Sequence, residues 1–134
     1  MSTYKILVVD DDPDDRDIMN EAFNLQGSTS HHILASAQEV FTYLQGVVRD
    51  EDLPRLIITD LNMPGITGFE LLQALKGMQR YKHIDVFVYS TSSMGAHVDL
   101  CLALGAKEYI VKPTAMTGYE QLAAEIGKKM VIDC

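Results

Sequence analysis

Short apolar runs recur along this chain, and each ends on polar or turn-forming residues. Lys5-Ile6-Leu7-Val8-Val9 is continuous and rich in β-branched residues, the pattern of a strand buried on both faces. It breaks at Asp10-Asp11-Asp12-Pro13-Asp14-Asp15, where Asp12 suits a helix cap and Pro13 the first turn behind it. A first helix is expected from Pro13 to about Gln26, with Ile18, Met19, Ala22 and Phe23 on one stripe and Gly27 as its stop. Asp14, Asp15 and Asp17 favour the positive end of the helix dipole and read as solvated.

The rhythm then repeats. His31 to Ala35 reads as a strand, and Gln38 to Val48 as a helix with Val40, Phe41, Leu44 and Val47 inward. A charged connector, Arg49-Asp50-Glu51-Asp52-Leu53-Pro54, leads to the strand Leu56-Ile57-Ile58-Thr59, which delivers Asp60 to the sheet's rim just before Leu61-Asn62-Met63-Pro64-Gly65. Thr67-Gly68-Phe69-Glu70 has capping-box spacing and should open a third helix whose inner face is Leu71, Leu72, Leu75 and Met78. Asp85 to Tyr89 is a fourth strand, followed by the hydroxyl-rich Ser90-Thr91-Ser92-Ser93 and a helix carrying Val98, Cys101 and Leu102 up to Gly105. Lys107 to Val111 is a fifth strand, closed by Lys112-Pro113. A second capping-box pattern, Thr117-Gly118-Tyr119-Glu120, precedes a last stripe of Leu122, Ala123, Ile126 and Met130.

Five strands alternating with five helices imply an α/β domain with parallel pairing, right-handed crossovers and helices on both faces. A chain of 134 residues supports one such domain, spanning 1–134 with no separate output domain. The apolar content of 47% argues against disorder, and no apolar run approaches the roughly 18 residues that cross a bilayer. The start runs straight into a strand without a signal-peptide core, which points to the cytoplasm and away from membranes. A formal charge of −8 opposes direct nucleic-acid binding, so partners are expected to be proteins. Cys101 and Cys134 lack metal-site spacing and read as thiols. His31 and His32 are adjacent on a strand, point to opposite faces and cannot ligate one ion together.

In a parallel sheet, functional residues gather where strands end at their carboxyl termini. Here those ends carry Asp10-Asp11, Asp60, Ser90-Thr91 and Lys112. Three carboxylates on one rim repel, and a divalent cation relieves the repulsion. Oxygen ligands without His or Cys select Mg²⁺, Mn²⁺ or Ca²⁺, and Mg²⁺ fits best because it combines one or two carboxylates with water and phosphate oxygens. Lys112 and Ser90 beside such an ion describe a phosphoryl pocket, in which Asp60 is the carboxylate placed to become an acyl-phosphate.

Val8-Val9-Asp10-Asp11-Asp12-Pro13, Thr59-Asp60-Leu61-Asn62-Met63-Pro64-Gly65, Ser90 and Tyr109-Ile110-Val111-Lys112-Pro113 together resemble the receiver domain of two-component response regulators, in particular small stand-alone, chemotaxis-type receivers of bacterial systems. The resemblance implies a flavodoxin-like (βα)5 fold with strand order 2-1-3-4-5. It implies Asp60 as phosphoacceptor, Asp11 as a direct Mg²⁺ ligand, Asp10 as a ligand acting through water, and the carbonyl of Asn62 as the last protein ligand. The acidic triplet leaves Asp12 as an alternative to Asp11. Lys112 would contact the phosphoryl group, Ser90 would move toward it, and Tyr109 would turn inward as Ser90 shifts. The bond between Lys112 and Pro113 is expected to be cis. The implied partners are a sensor histidine kinase or histidine phosphotransfer protein, and either a protein target on the face of the fourth helix, fifth strand and fifth helix or a histidine-bearing protein to which the phosphate is passed on; a homodimer is compatible with the resemblance.

Two other functions compete. An aspartyl-phosphate phosphatase of the haloacid-dehalogenase type usually wants a second Asp two residues after the nucleophile, where Asn62 stands. A Ca²⁺ module would need EF-hand spacing, which the acidic run at 10–15 lacks. The expectation is a phosphoacceptor signalling domain, not an enzyme.

Overall fold

Ile6–Val9 (β1) pairs in parallel with His31–Leu34 (β2) on one side and Leu56–Thr59 (β3) on the other. Beyond β3 lie Asp85–Ser90 (β4) and Glu108–Val111 (β5), giving the order β2-β1-β3-β4-β5 of the flavodoxin-like receiver fold. The structure is a computed structural model that describes residues 4–28 and 30–132, with side chains up to Lys129. Every strand is joined to the next through a helix: Pro13–Leu25 (α1), Ala37–Gly46 (α2), Gly68–Gly77 (α3) and Gly95–Ala103 (α4), and Met116–Ile132 (α5) follows β5.

The helices start where side chains can satisfy their free N–H groups. Asp12 caps α1, with Pro13 behind it, and Ser36 caps α2 by accepting from Glu39. Thr67 and Glu70 form the complete capping box of α3. The second capping-box pattern is not used in that form, because α5 already begins at Met116, with Gly118 and Tyr119 donating back to the Ala115 carbonyl. The charged connector contains a single 3-10 turn at Asp50–Asp52.

The central strands β1, β3 and β4 are buried on both faces, so alternate residues feed two cores. Leu7, Val9, Ile57, Val86 and Val88 pack against α2, α3 and Cys101 of α4. Ile6, Val8, Leu56, Ile58, Phe87 and Tyr89 pack against Met19 and Phe23 of α1 and against Tyr119, Leu122 and Ile126 of α5. His31 stacks on Phe23 and His32 on Tyr4, on opposite sides of the sheet. Two expected core positions differ. Met78 falls at the C-cap of α3 and is exposed, and in α4 only Cys101 is buried while Leu100 and Leu102 face outward. The Met130 side chain and Cys134 lie outside the described parts. Among the described residues, no helix is long and apolar enough to cross a membrane.

Candidate phosphoryl and metal site

Register sets the site. Val9 pairs with both Leu34 and Thr59, Thr59 with Val88, and Ser90 with Val111, so β1, β2 and β3 stop together while β4 and β5 run two residues farther in the same direction. The residues that follow therefore share one rim, at the place where strand order reverses between β1 and β3. Asp10 and Asp60 sit there with their side chains almost entirely out of water.

Lys112 reaches back from the end of β5 and gives each of its ammonium hydrogens an acceptor. Its Nζ lies 2.9 Å from Asp10 Oδ2, 2.8 Å from Asp15 Oδ2 and 3.2 Å from Asp60 Oδ2. Asp60 Oδ1 accepts the Leu61 N–H at 2.7 Å, and Asp10 Oδ1 accepts the Asp12 N–H at 3.0 Å. Burial raises the Asp60 pKa above the ordinary carboxylate value; Lys112 opposes that rise and the charge of Asp10 adds to it. For Lys112, burial would lower the pKa, but the hydrogen bonds to Asp15 and Asp10 and the charges of Asp10 and Asp60 outweigh it, so the ammonium is held well above its ordinary value.

Asp11 follows in the same loop and faces solvent. One oxygen each from Asp10, Asp11 and Asp60 come within 4.8 Å of one another, close enough to hold a cation between them. Hard carboxylate oxygens and an open outer side suit Mg²⁺ or Mn²⁺, which keep water in their shell. Asn62 lies on the adjoining loop, exposed, because Leu61 and Met63 on either side of it are anchored in the core. Gly68 fixes that loop from behind: its N–H donates to the Leu61 carbonyl, and a Cβ there would sit 2.1 Å from the Asp60 carbonyl oxygen.

Ser90 is fully buried, and its Oγ accepts the Ser92 N–H at 3.1 Å. Tyr109 is half-buried and donates from its hydroxyl to the Ser92 carbonyl at 2.7 Å. Ser92 thus touches both residues expected to switch, and its own hydroxyl pairs with His97 Nδ1 of α4 at 2.8 Å. The Lys112–Pro113 bond is trans, not cis; trans is the lower-energy isomer of an X–Pro bond by about 0.5–1 kcal/mol.

Sequence reasoning placed Asp10, Asp11, Asp60, Ser90 and Lys112 on one rim and missed two members of the cluster. Asp15, read as merely solvated, is one turn past the Asp12 cap and faces Lys112. Tyr89, hidden in an apolar run, sends its hydroxyl to Asp10 Oδ2 at 2.5 Å. A tyrosine at the end of a strand buried on both faces was the available signal, since its O–H needs a partner.

Residues 6–124 match the response regulator receiver domain family. The two-component response regulator ARR6 of Arabidopsis thaliana is 30% identical over 129 residues, which is 92% of this chain and 69% of the plant protein. Among solved structures, the Mn²⁺-bound form of response regulator Rcp1 superposes with a TM-score of 0.75 and 28% identity, over 90% of this chain and 89% of that one. The phosphorylated cyanobacterial phytochrome response regulator RcpA does so with a TM-score of 0.79 and 28% identity, over 93% and 91%. The phosphatase alternative finds no support among these relatives. The chain belongs to the response regulator receiver domain family of two-component signalling.

Proposed function

We propose that this receiver takes a phosphoryl group on Asp60 from a sensor histidine kinase or a histidine phosphotransfer protein in the cytoplasm. The observation that carries the reading is the single ammonium of Lys112 lying against both Asp60 and Asp10 at the carboxyl ends of β5, β3 and β1. An Asp60 oxygen forms the new P–O bond while the donor's P–N bond breaks, and the departing imidazole takes up a proton. Mg²⁺, with Mn²⁺ as substitute, would be held by Asp11 and Asp60, by the Asn62 carbonyl, and by Asp10 through water, and supplies positive charge to the phosphoryl oxygens. Lys112 exchanges carboxylate for phosphoryl oxygens and adds a second positive charge.

The new charge on Asp60 then favours a Ser90 hydroxyl that donates to it. To do so Ser90 leaves the Ser92 N–H, and the Tyr109 hydroxyl loses its fixed acceptor on Ser92. The face formed by α4, β5 and α5 changes, and a protein target reads it.

The test is intact mass after incubation with acetyl phosphate and Mg²⁺. A gain of one phosphoryl group is expected, and it should vanish with EDTA or in Asp60→Asn. A folded wild-type chain that gains nothing, and does not respond to beryllofluoride, would defeat this reading.

A further inference from the structure

Tyr89 is the penultimate residue of β4, and its ring is fully buried in the layer under α1 and α5. Its hydroxyl leaves that apolar layer and donates to Asp10 Oδ2 at 2.5 Å, the shortest bond described in the site. The same ring lies 4.8 Å from the Lys112 ammonium, measured to its centroid. Burial, and then the charge of Asp10, push the Tyr89 phenol far above its ordinary pKa, so at physiological pH it remains a neutral donor.

Asp10 is consequently a crowded carboxylate. Oδ1 is engaged by the Asp12 N–H, and Oδ2 by both Tyr89 and Lys112. Asp11, in contrast, faces solvent, and Asp60 shares with Asp10 only the lysine among its donors. A donor as close as the Tyr89 hydroxyl draws charge from Oδ2 and fixes the plane of the carboxylate, as the outer partners of metal ligands do.

We propose that Tyr89 is a positioning residue that holds Asp10 back from direct contact with a divalent cation, leaving Asp11 and Asp60 as the carboxylates that reach it. This rests on the metal part of the reading above and gives a physical cause for the division of labour within it. Asp10 keeps enough lone pairs to meet the ion through a water molecule, which suits Mg²⁺ because that ion gives up water reluctantly.

Tyr89→Phe removes one oxygen atom and keeps the ring beneath Lys112. Mg²⁺ titration by calorimetry should give a dissociation constant about three- to tenfold lower than wild type, the worth of one net hydrogen bond. Mn²⁺ relaxation measurements should find one fewer water on the ion, a change that loosened packing would not produce. Tyr89→Met, which also lacks the hydroxyl, serves if the Phe variant fails to fold. Wild-type protein with ¹³C at tyrosine Cζ serves if both fail, because the Tyr89 signal should keep its carboxylate-bonded shift at saturating Mg²⁺. Equal or weaker Mg²⁺ binding in the variants, an unchanged water count, or a Tyr89 signal released by Mg²⁺ would overturn the proposal alone. A wild-type chain that binds no Mg²⁺ would overturn the metal reading with it.

Discussion

Lys112 donates to carboxylates from three separate parts of the chain: Asp10 after β1, Asp15 in α1 and Asp60 after β3. No side chain of this rim other than lysine satisfies all three, so its removal leaves buried like charges facing one another. Lys112→Met should therefore lower the stability of the metal-free protein at pH 7 by on the order of 3 kcal/mol, the usual cost of breaking a buried ion pair. The sign with pH follows from linkage. Without Lys112, burial and mutual repulsion raise a carboxylate pKa in the folded state above its unfolded value, so the folded state binds more protons and the deficit shrinks as pH falls. Urea midpoints at pH 7 and pH 5.5 would measure this, and added Mg²⁺ should offset the loss at pH 7. The lysine itself was legible as a strand-end residue, because Val111 ends an apolar run just before it. Asp15 was not, since helix periodicity says which face a residue takes but not which distant strand end lies opposite.

Two glycines with opposite surroundings show how elements hold the site. At Gly68, the first residue of α3, a Cβ would meet the Asp60 carbonyl oxygen at 2.1 Å and the Leu61 Cα at 2.8 Å, both of them backbone. The helix start and the Asp60 loop would have to separate, so Gly68→Ala should cost about 1–3 kcal/mol and displace Asp60 as well. At Gly127, inside α5, a Cβ meets nothing within 4 Å, and Gly127→Ala should stabilise by about 0.4–1 kcal/mol without touching the rim. Thermal melts of both variants, with phosphorylation by acetyl phosphate as the second readout, check the pair. The capping box at Thr67 was readable because it is local, needing only spacing and side-chain chemistry. The start of α5 was misread by two residues for the opposite reason: Gly118 lies so close to Pro113 that a Cβ would be 2.6 Å from the proline Cβ, and this contact between the β5–α5 loop and the helix is invisible to local pattern. The apolar surface of α4 likewise says nothing of which side is covered, and Leu100 and Leu102 proved to be outside.

At the scale of the molecule, alternation of strands and helices was enough to foresee two covered sheet faces, while the order 2-1-3-4-5 came only from resemblance, because periodicity carries no information about which strands are neighbours. The parallel register then explains why a list of strand ends could anticipate a cluster of side chains: in a parallel sheet all the carboxyl ends lie on one rim, so residues after different strands become spatial neighbours. The far edge of the same sheet supplies a test away from the site. His31 on β2 stacks against Phe23, with Nδ1 2.9 Å from Ser28 Oγ and Nε2 2.9 Å from Asn20 Oδ1. Burial, and then the neighbouring His32, lower its pKa below the ordinary 6.5. The folded state therefore prefers the neutral ring, whereas the unfolded chain takes up the proton first. His31 contributes stability that is fully present above about pH 6.5 and is lost as pH falls through its folded pKa. His31→Gln keeps hydrogen-bonding capacity toward Asn20 and Ser28 but does not titrate, so its unfolding free energy should fall less steeply than that of the wild type between pH 7 and pH 5. The ring is only partly buried and solvent screens its charge, which limits the difference to less than about 1 kcal/mol. Urea unfolding of the two chains across that range, without divalent ions, measures the slope, and parallel curves would mean that the ring carries no preference for its neutral form.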